Sequence, residues 1–224
     1  MSIRHGLTRL VQNFGFERKP MSASTPSKTE IDDLEQLREA LLSRSDWLET
    51  LTRPPTHDEY ALLGKFIQIY CIAEFNARRL LDALKSRLPD SSDVNSYRLN
   101  DTDLLMHLRK AADRNVWKPS VVEGLTKALD ILEMHRIHRH SFAHWVVRKH
   151  IQLDVLVILT MNAREAERRD QKQHSDGKVK FGLMPTATLE EEFRKLQGHC
   201  DYMAKLVASI EVGKFAPLND SGTL

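Results

Sequence analysis

Apolar residues recur at helical spacing over most of the chain. "EIDDLEQLREALLSRSDWLETL" places Ile31, Leu34, Leu37, Leu41, Leu48 and Leu51 on one stripe, with acids in the first turn where the helix dipole favours them, and predicts a first helix. "RPPTHDEY" stops it and starts the next, because Thr56 and Glu59 form a capping box just after a proline pair. The second helix runs from about His57 to Leu88, before Pro89. Its apolar line passes through Leu63, Phe66, Ile67, Tyr70, Ala77, Leu81, Leu84 and Leu88, with Glu74 in the middle. A carboxylate on that line is costly to bury unless protonated or paired, so the pattern predicts a cation facing Glu74 from another helix. A structural ion pair or a partly solvated acid is the plainer reading of that residue.

"PDSSDVNSYRLND" reads as a polar connection. Asn100 or Asp101 caps a short third helix, "TDLLMHLRKAADRN". "VWKPSVVE" leads into a fourth, with Ser120 and Glu123 as its capping box after Pro119, running at least from Val121 to about Trp145. The period then changes. "VLVILTM" is β-branched and apolar, and "VKFGLM" alternates at Val179, Phe181 and Leu183, which predicts a two-stranded hairpin. The charged residues 162–178 between them read as a long mobile loop. Pro185 ends the hairpin, and Thr188 with Glu191 caps a last helix carrying Leu189, Phe193, Leu196, Cys200, Met203, Leu206, Val207 and Ile210. The expected fold is mainly α: a bundle of about five helices with a β-hairpin inserted before the last.

The pattern also sets the boundaries. The start, "MSIRHGLTRLVQNFGFERK", is basic and mildly amphipathic, without a secretory apolar core, and "PMSASTPSK" follows it as a Pro/Ser/Thr linker. Residues 1–29 are expected to be a flexible tail, 30–212 one helical domain and 213–224 a second tail. Composition narrows the class: a formal charge of +2 and a hydrophobic fraction of 41% exclude a disordered acidic chain and a generally basic nucleic-acid coat. Any nucleic-acid contact is therefore local. The longest apolar run, Val155 to Met161, is too short to span a bilayer, so no membrane contact is expected. Cys71 and Cys200 give neither a disulfide framework nor metal-type spacing, and a reducing, cytoplasmic location is the simpler expectation.

The local exception to neutrality is "HRIHRHSFAHWVVRKH", residues 135–150, with five of the ten histidines and no Asp or Glu. With Leu125 at zero angle on the fourth helix, Ala128, Leu129 and Leu132 fall within about 60° of it, and the same line continues through Arg136, Arg139 and Ala143. Guanidiniums thus stand where leucines stood a turn earlier, so the stripe leaves a dry core for a polar cleft or a subunit interface. His140 and His144 share one edge of that line, at about 60° and 100°. Cations without local acids favour phosphate or another anion as partner.

Arg139, polar His140, three further residues and His144 form the set "RHSFAH". This resembles the signature of the HEPN superfamily, an arginine and a histidine four to six residues apart, often with Asn, Asp or His after the arginine, late in a helical bundle. The resemblance spans roughly Ile31 to Ile210 in architecture and three residues in motif; His135, His138 and His150 lie outside the signature. It implies a homodimer with two copies of the motif meeting at the interface. The activity implied is either a metal-independent endoribonuclease of toxin or defence type, restrained by an antitoxin or regulatory protein, or a non-catalytic RNA-binding or scaffolding module.

Cleaving RNA through its own 2′-hydroxyl needs a group that moves protons near neutral pH and a cation that stabilises charge on the phosphate. His144 suits the general base or acid, Arg139 the phosphate clamp and His140 a second proton carrier or positioning residue. Arg139 and His144 diverge by about 140° on a regular helix, so one compact site needs the helix end to unwind or two protomers to contribute. Glu74 would orient Arg139 or Arg136. No cofactor is implied. Two other readings stand beside this one. His140 with His144, or His135 with His138, could bind zinc, joined by His199, Cys200 or His174, although the neighbouring arginines would repel a dication. An interaction module without chemistry would use the charged segment 162–178 as its partner surface.

Overall fold

The computed structural model describes residues 28–88, 95–114, 117–170 and 179–212. Most of the two predicted tails, and residues 171–178 of the predicted loop, lie outside them. The fold is mainly α, with seven helices and one four-stranded antiparallel sheet among the described residues. The helices are α1 (Lys28–Ser43), α2 (Trp47–Thr50), α3 (His57–Lys85), α4 (Asp101–Ala112), α5 (Pro119–His144), α6 (Ala163–Asp170) and α7 (Thr186–Glu211). The strands are β1 (Thr52–Arg53), β2 (Val146–His150), β3 (Val155–Thr160) and β4 (Lys180–Pro185), in the order β1-β2-β3-β4. The predicted hairpin is β3–β4, which pairs from Val155↔Pro185 to Thr160↔Lys180. No described helix is long and apolar enough to cross a membrane.

The chain divides into two compact units, each built from separated segments: Met1–Leu63 with His140–Glu190, and Gly64–Arg139 with Glu191–Leu224. The first, the sheet unit, packs Leu34, Leu37 and Leu41 of α1 and Trp47 of α2 against Val155, Val157 and Leu159 of β3 and Leu183 of β4. β3 is buried along both faces except at Thr160, as its unbroken apolar sequence requires of a central strand. Trp47 and Phe181 meet with ring centroids 5.6 Å apart.

The second, the helical unit, buries the expected line of α3 at Phe66, Tyr70, Ala77, Leu81 and Leu84, and the line of α7 at Leu196, Cys200, Met203, Val207 and Ile210. Asn76 of α3 donates to the Cys200 carbonyl at 3.4 Å, and Arg109 of α4 pairs with Asp130 (2.8 Å) and Glu133 (2.9 Å) of α5.

Capping explains several boundaries. The Thr56 N–H donates to Glu59 Oε2 at 2.7 Å, and the Glu59 N–H donates back to Thr56 Oγ1 at 3.4 Å, closing the predicted box at the start of α3. Thr56→Ala is therefore expected to lower the unfolding free energy by about 1 kcal/mol, read as a lower urea midpoint at unchanged slope; an unchanged midpoint would show that the box contributes nothing. Asn100 caps α4, accepting from the Asp103 N–H at 2.9 Å.

Four expectations are corrected. The first helical stripe is broken after Ser43, where the "SRSD" segment interrupts it and Asp46 precedes α2. Ser120 and Glu123 do not cap α5: Pro119 is already its first residue, where its missing N–H costs nothing, and Glu123 instead pairs with Lys127 at 2.6 Å. Thr188 and Glu191 do not cap α7, which starts at Thr186 directly after β4, and Glu191 pairs with Lys195 at 2.8 Å. Part of the predicted loop, Ala163–Asp170, is the helix α6.

The end of the histidine-rich stretch is strand rather than helix or coil. β2 pairs with β3 from Val146↔Leu159 to Lys149↔Leu156 and with β1 at Thr52↔His150 and Arg53↔Lys149. Lys149 is only 4% exposed. Its ammonium bonds Asp154, donates to Thr186 Oγ1 at 2.5 Å and lies 3.5 Å from Glu59, which Arg53 holds in a fork at 3.0 and 3.1 Å. The Arg53 hydrogen bonds, outweighing burial, bring the Glu59 carboxyl down to about 2.

Candidate functional site

The five histidines of residues 135–150 fall into three groups. His135, fully buried, bonds Glu192 of α7 through Nε2 at 2.8 Å and meets the Phe66 ring edge-on at 5.4 Å. Burial pushes its imidazole down against the pull of Glu192. His138 lies beside it, 6.1 Å between centroids, and burial with the nearby His135 brings it down to about 4. His135 is an interior group of the helical unit, and His138 is half-buried beside it. His150 belongs to the sheet: its Nδ1 accepts from the N–H groups of Gln152 (3.2 Å) and Leu153 (3.0 Å), capping the turn between β2 and β3. Burial pushes it down, which keeps that nitrogen an acceptor.

His140 and His144 are the remaining two, and both belong to the sheet unit. One turn apart on α5, their rings lie 4.4 Å apart at 49°, with His144 exposed and the His140 side chain 35% exposed. Glu165 of α6 bonds His140 Nε2 through Oε1. That carboxylate was not among the residues expected to matter.

Its position follows from local sequence. Buried β3 ends at Thr160, whose Oγ1 accepts from the Asn162 N–H at 3.1 Å. Asn162 in turn caps α6, its Oδ1 accepting from the Glu165 N–H at 3.2 Å and its carbonyl from the Ala166 N–H at 3.0 Å. The signal was present, since Asn followed three residues later by Glu is a helix-start signature. The result is a carboxylate, an imidazole and a second, solvent-reachable imidazole on short, capped elements. Such a set can fix a tautomer and exchange protons with a bound molecule.

The arginines belong to the helical unit. Glu74 takes its hydrogen-bonded cation from its own helix: Arg78, one turn on, donates to Glu74 Oε1 from Nη2 at 2.5 Å and Nε at 3.1 Å, and also to the Ser96 and Leu99 carbonyls. Arg136 and Arg139 act through space on Asp101 and Tyr70. Burial and then Glu74 push the Asp101 carboxyl up, and the guanidiniums of Arg139, Arg136 and Arg78 pull it back. Tyr70 is pushed up by burial and by Asp101 and Glu74, against the same two arginines of α5. The Nε atoms of Arg136 and Arg139 are buried with no hydrogen-bond partner among the described residues. Both guanidiniums thus favour the charged form of Asp101.

Among the described residues no three His, Cys, Asp or Glu side chains are grouped to hold a metal ion, which leaves the zinc reading without a ligand set there. Cys200 is engaged by Asn76, and Cys71 is a half-buried free thiol. No protein-family model, curated protein or solved structure matches this chain, so its function is argued from these residues alone.

Proposed function

We propose that the chain is a HEPN-like, metal-independent endoribonuclease in which His140 and His144 move protons and Arg139 engages the scissile phosphate. The observation that carries this reading is the solvent-reachable His140–His144 pair backed by Glu165. Histidines held by packing would be buried like His135; these two are paired with each other at the exposed end of α5. The reaction needs no metal or other co-reactant. One histidine takes the proton of the 2′-hydroxyl as O2′ bonds to phosphorus, the P–O5′ bond breaks, and the other histidine gives a proton to O5′. The products are a 2′,3′-cyclic phosphate and a 5′-hydroxyl.

α5 stays regular to its end, with the Trp145 N–H donating to the Ser141 carbonyl at 2.9 Å. Unwinding thus does not relieve the divergence of Arg139 and His144, and the reading takes these groups from two copies of the chain, in a homodimer. An antitoxin or other regulatory protein is the partner class that such an activity would require.

The test is a labelled mixed-sequence RNA and its DNA counterpart, each incubated with and without EDTA. RNA is expected to be cut in both buffers and DNA in neither, because DNA lacks the attacking hydroxyl. His144→Ala should lower the rate about 100-fold or more while leaving the thermal midpoint within a few degrees. Loss of cleavage in EDTA would instead favour a metal site.

The action of Arg139 on Asp101 and Tyr70 supports a second reading, a non-catalytic RNA-binding or interaction module in which that arginine is chiefly structural. Arg139→Ala separates the two. Lost RNA turnover with little loss of stability favours the ribonuclease, weakened binding by a protein that cuts no RNA favours the binding module, and a large loss of folding places Arg139 in a structural ion pair.

A further inference from the structure

We propose that Glu165 is a positioning residue of the site, fixing His140 in the tautomer whose Nε2 carries the proton. This rests on the ribonuclease reading for its consequence in catalysis, but its structural content is independent of that reading. The carboxylate meets Nε2, and a carboxylate only accepts, so the imidazole nitrogen facing it carries the hydrogen. In the neutral ring the lone pair is then on Nδ1, which assigns the proton-accepting atom of His140. When His140 takes a proton, Glu165 balances the imidazolium without moving, because its helix is already capped by Asn162.

Two features distinguish this contact from an ordinary surface ion pair. The Glu165 side chain is 22% exposed and the His140 side chain 35%, whereas solvated pairs such as Arg44–Asp46 expose about half of each partner. The carboxylate also stands in the first turn of a helix whose start is fixed to the end of buried β3, so its place is set by the fold rather than by side-chain freedom. His144, exposed and in ring contact with His140, is left as the second proton carrier. The base is thus assigned to His140, with the acid falling to His144: His140 Nδ1 takes the 2′-hydroxyl proton, and His144 delivers the proton to O5′.

The experiment compares the full chain with Glu165→Gln and Glu165→Asp by long-range proton–nitrogen correlation of the imidazoles and by RNA cleavage across pH 5 to 9. His140 is expected to show the Nε2–H pattern in the wild type and a shift toward mixed tautomers in Glu165→Gln. kcat should fall about 10-fold or more with KM within about twofold, and Glu165→Asp should recover part of the loss. The acidic limb of the rate profile should move in Glu165→Gln, a change that lost packing alone would not cause. An unchanged His140 signal in Glu165→Gln would overturn the proposal even if the protein cuts RNA. If the wild type cuts no RNA, the ribonuclease reading falls, while the tautomer signals still decide the role of Glu165.

Discussion

Lys149→Ala is expected to lower the unfolding free energy by about 2–4 kcal/mol, measured by urea denaturation at neutral pH. The side chain is 4% exposed, and its ammonium serves Asp154 and Thr186 while standing 3.5 Å from Glu59. Truncation removes the aliphatic stem from a packed strand and leaves these acceptors without their cation. Arg53 still holds Glu59, which keeps the loss below that of an abandoned buried charge. Lys149→Met retains most of the stem and separates the two contributions. Equal stability of the Met variant and the wild type would mean that packing alone acts here and that the ion cluster adds nothing.

The second large effect is acid sensitivity centred on His135 and His138. Folding holds His138 at about 4, whereas a free imidazole titrates near 6.5. Above 6.5 both states are neutral and this group contributes nothing. Between 6.5 and 4 the unfolded chain takes the proton and the folded chain does not, so stability falls as pH falls, by about 3 kcal/mol across the window. His135, shifted in the same direction, adds to the loss. Although burial raises it, Glu192 is held down at about 2 by the hydrogen bonds of His135 and Lys195, so its stabilisation is present above about 4.5 and is lost below that. Urea unfolding at pH 7.5, 6, 5 and 4 should therefore show a steep decline beginning above the carboxylate range, and His138→Leu should flatten it. A flat profile down to pH 4.5 would mean that these imidazoles are charged in the native protein.

Much of the helical frame was legible in the sequence, because it is written in local patterns. The buried lines of α3 and α7, the Thr56–Glu59 box and the Asn100 cap are each set by residues within a turn or two of one another. The sheet was half legible. β3 and β4 alternate or run apolar, but β2 is "VVRKH", whose cations continue the basic character of α5, and β1 is two residues long. Such strands are specified by their partners rather than by their own composition.

The site divides in the same way. His140 and His144 stand out at helical spacing, whereas Glu165 lies in "AREAERRD", a segment so charged that it reads as a solvated loop. Only its cap, Asn162, announces a helix, and nothing local announces His140 as the residue it meets. The roles of His135 and His138 were equally hidden, since the burial of an imidazole depends on residues such as Glu192 and Phe66 far along the chain.

The segmented construction of the sheet unit bears on how the chain is made. Arg148 and Thr52, which bond across β2 and β1, are 96 residues apart, and the partners of Leu34, Leu37 and Leu41 in β3 and β4 come later still. A ribosome delivers the apolar face of α1 long before the strands that cover it, and the whole of Gly64–Arg139 emerges in the interval. Closing so long a loop is entropically slow, so the sheet unit, first to begin synthesis, waits for β3 and β4, and the helical unit waits longer still for α7. Until β3 emerges, the leucines of α1 lack the strand they pack against, an apolar exposure of the kind that chaperones cover.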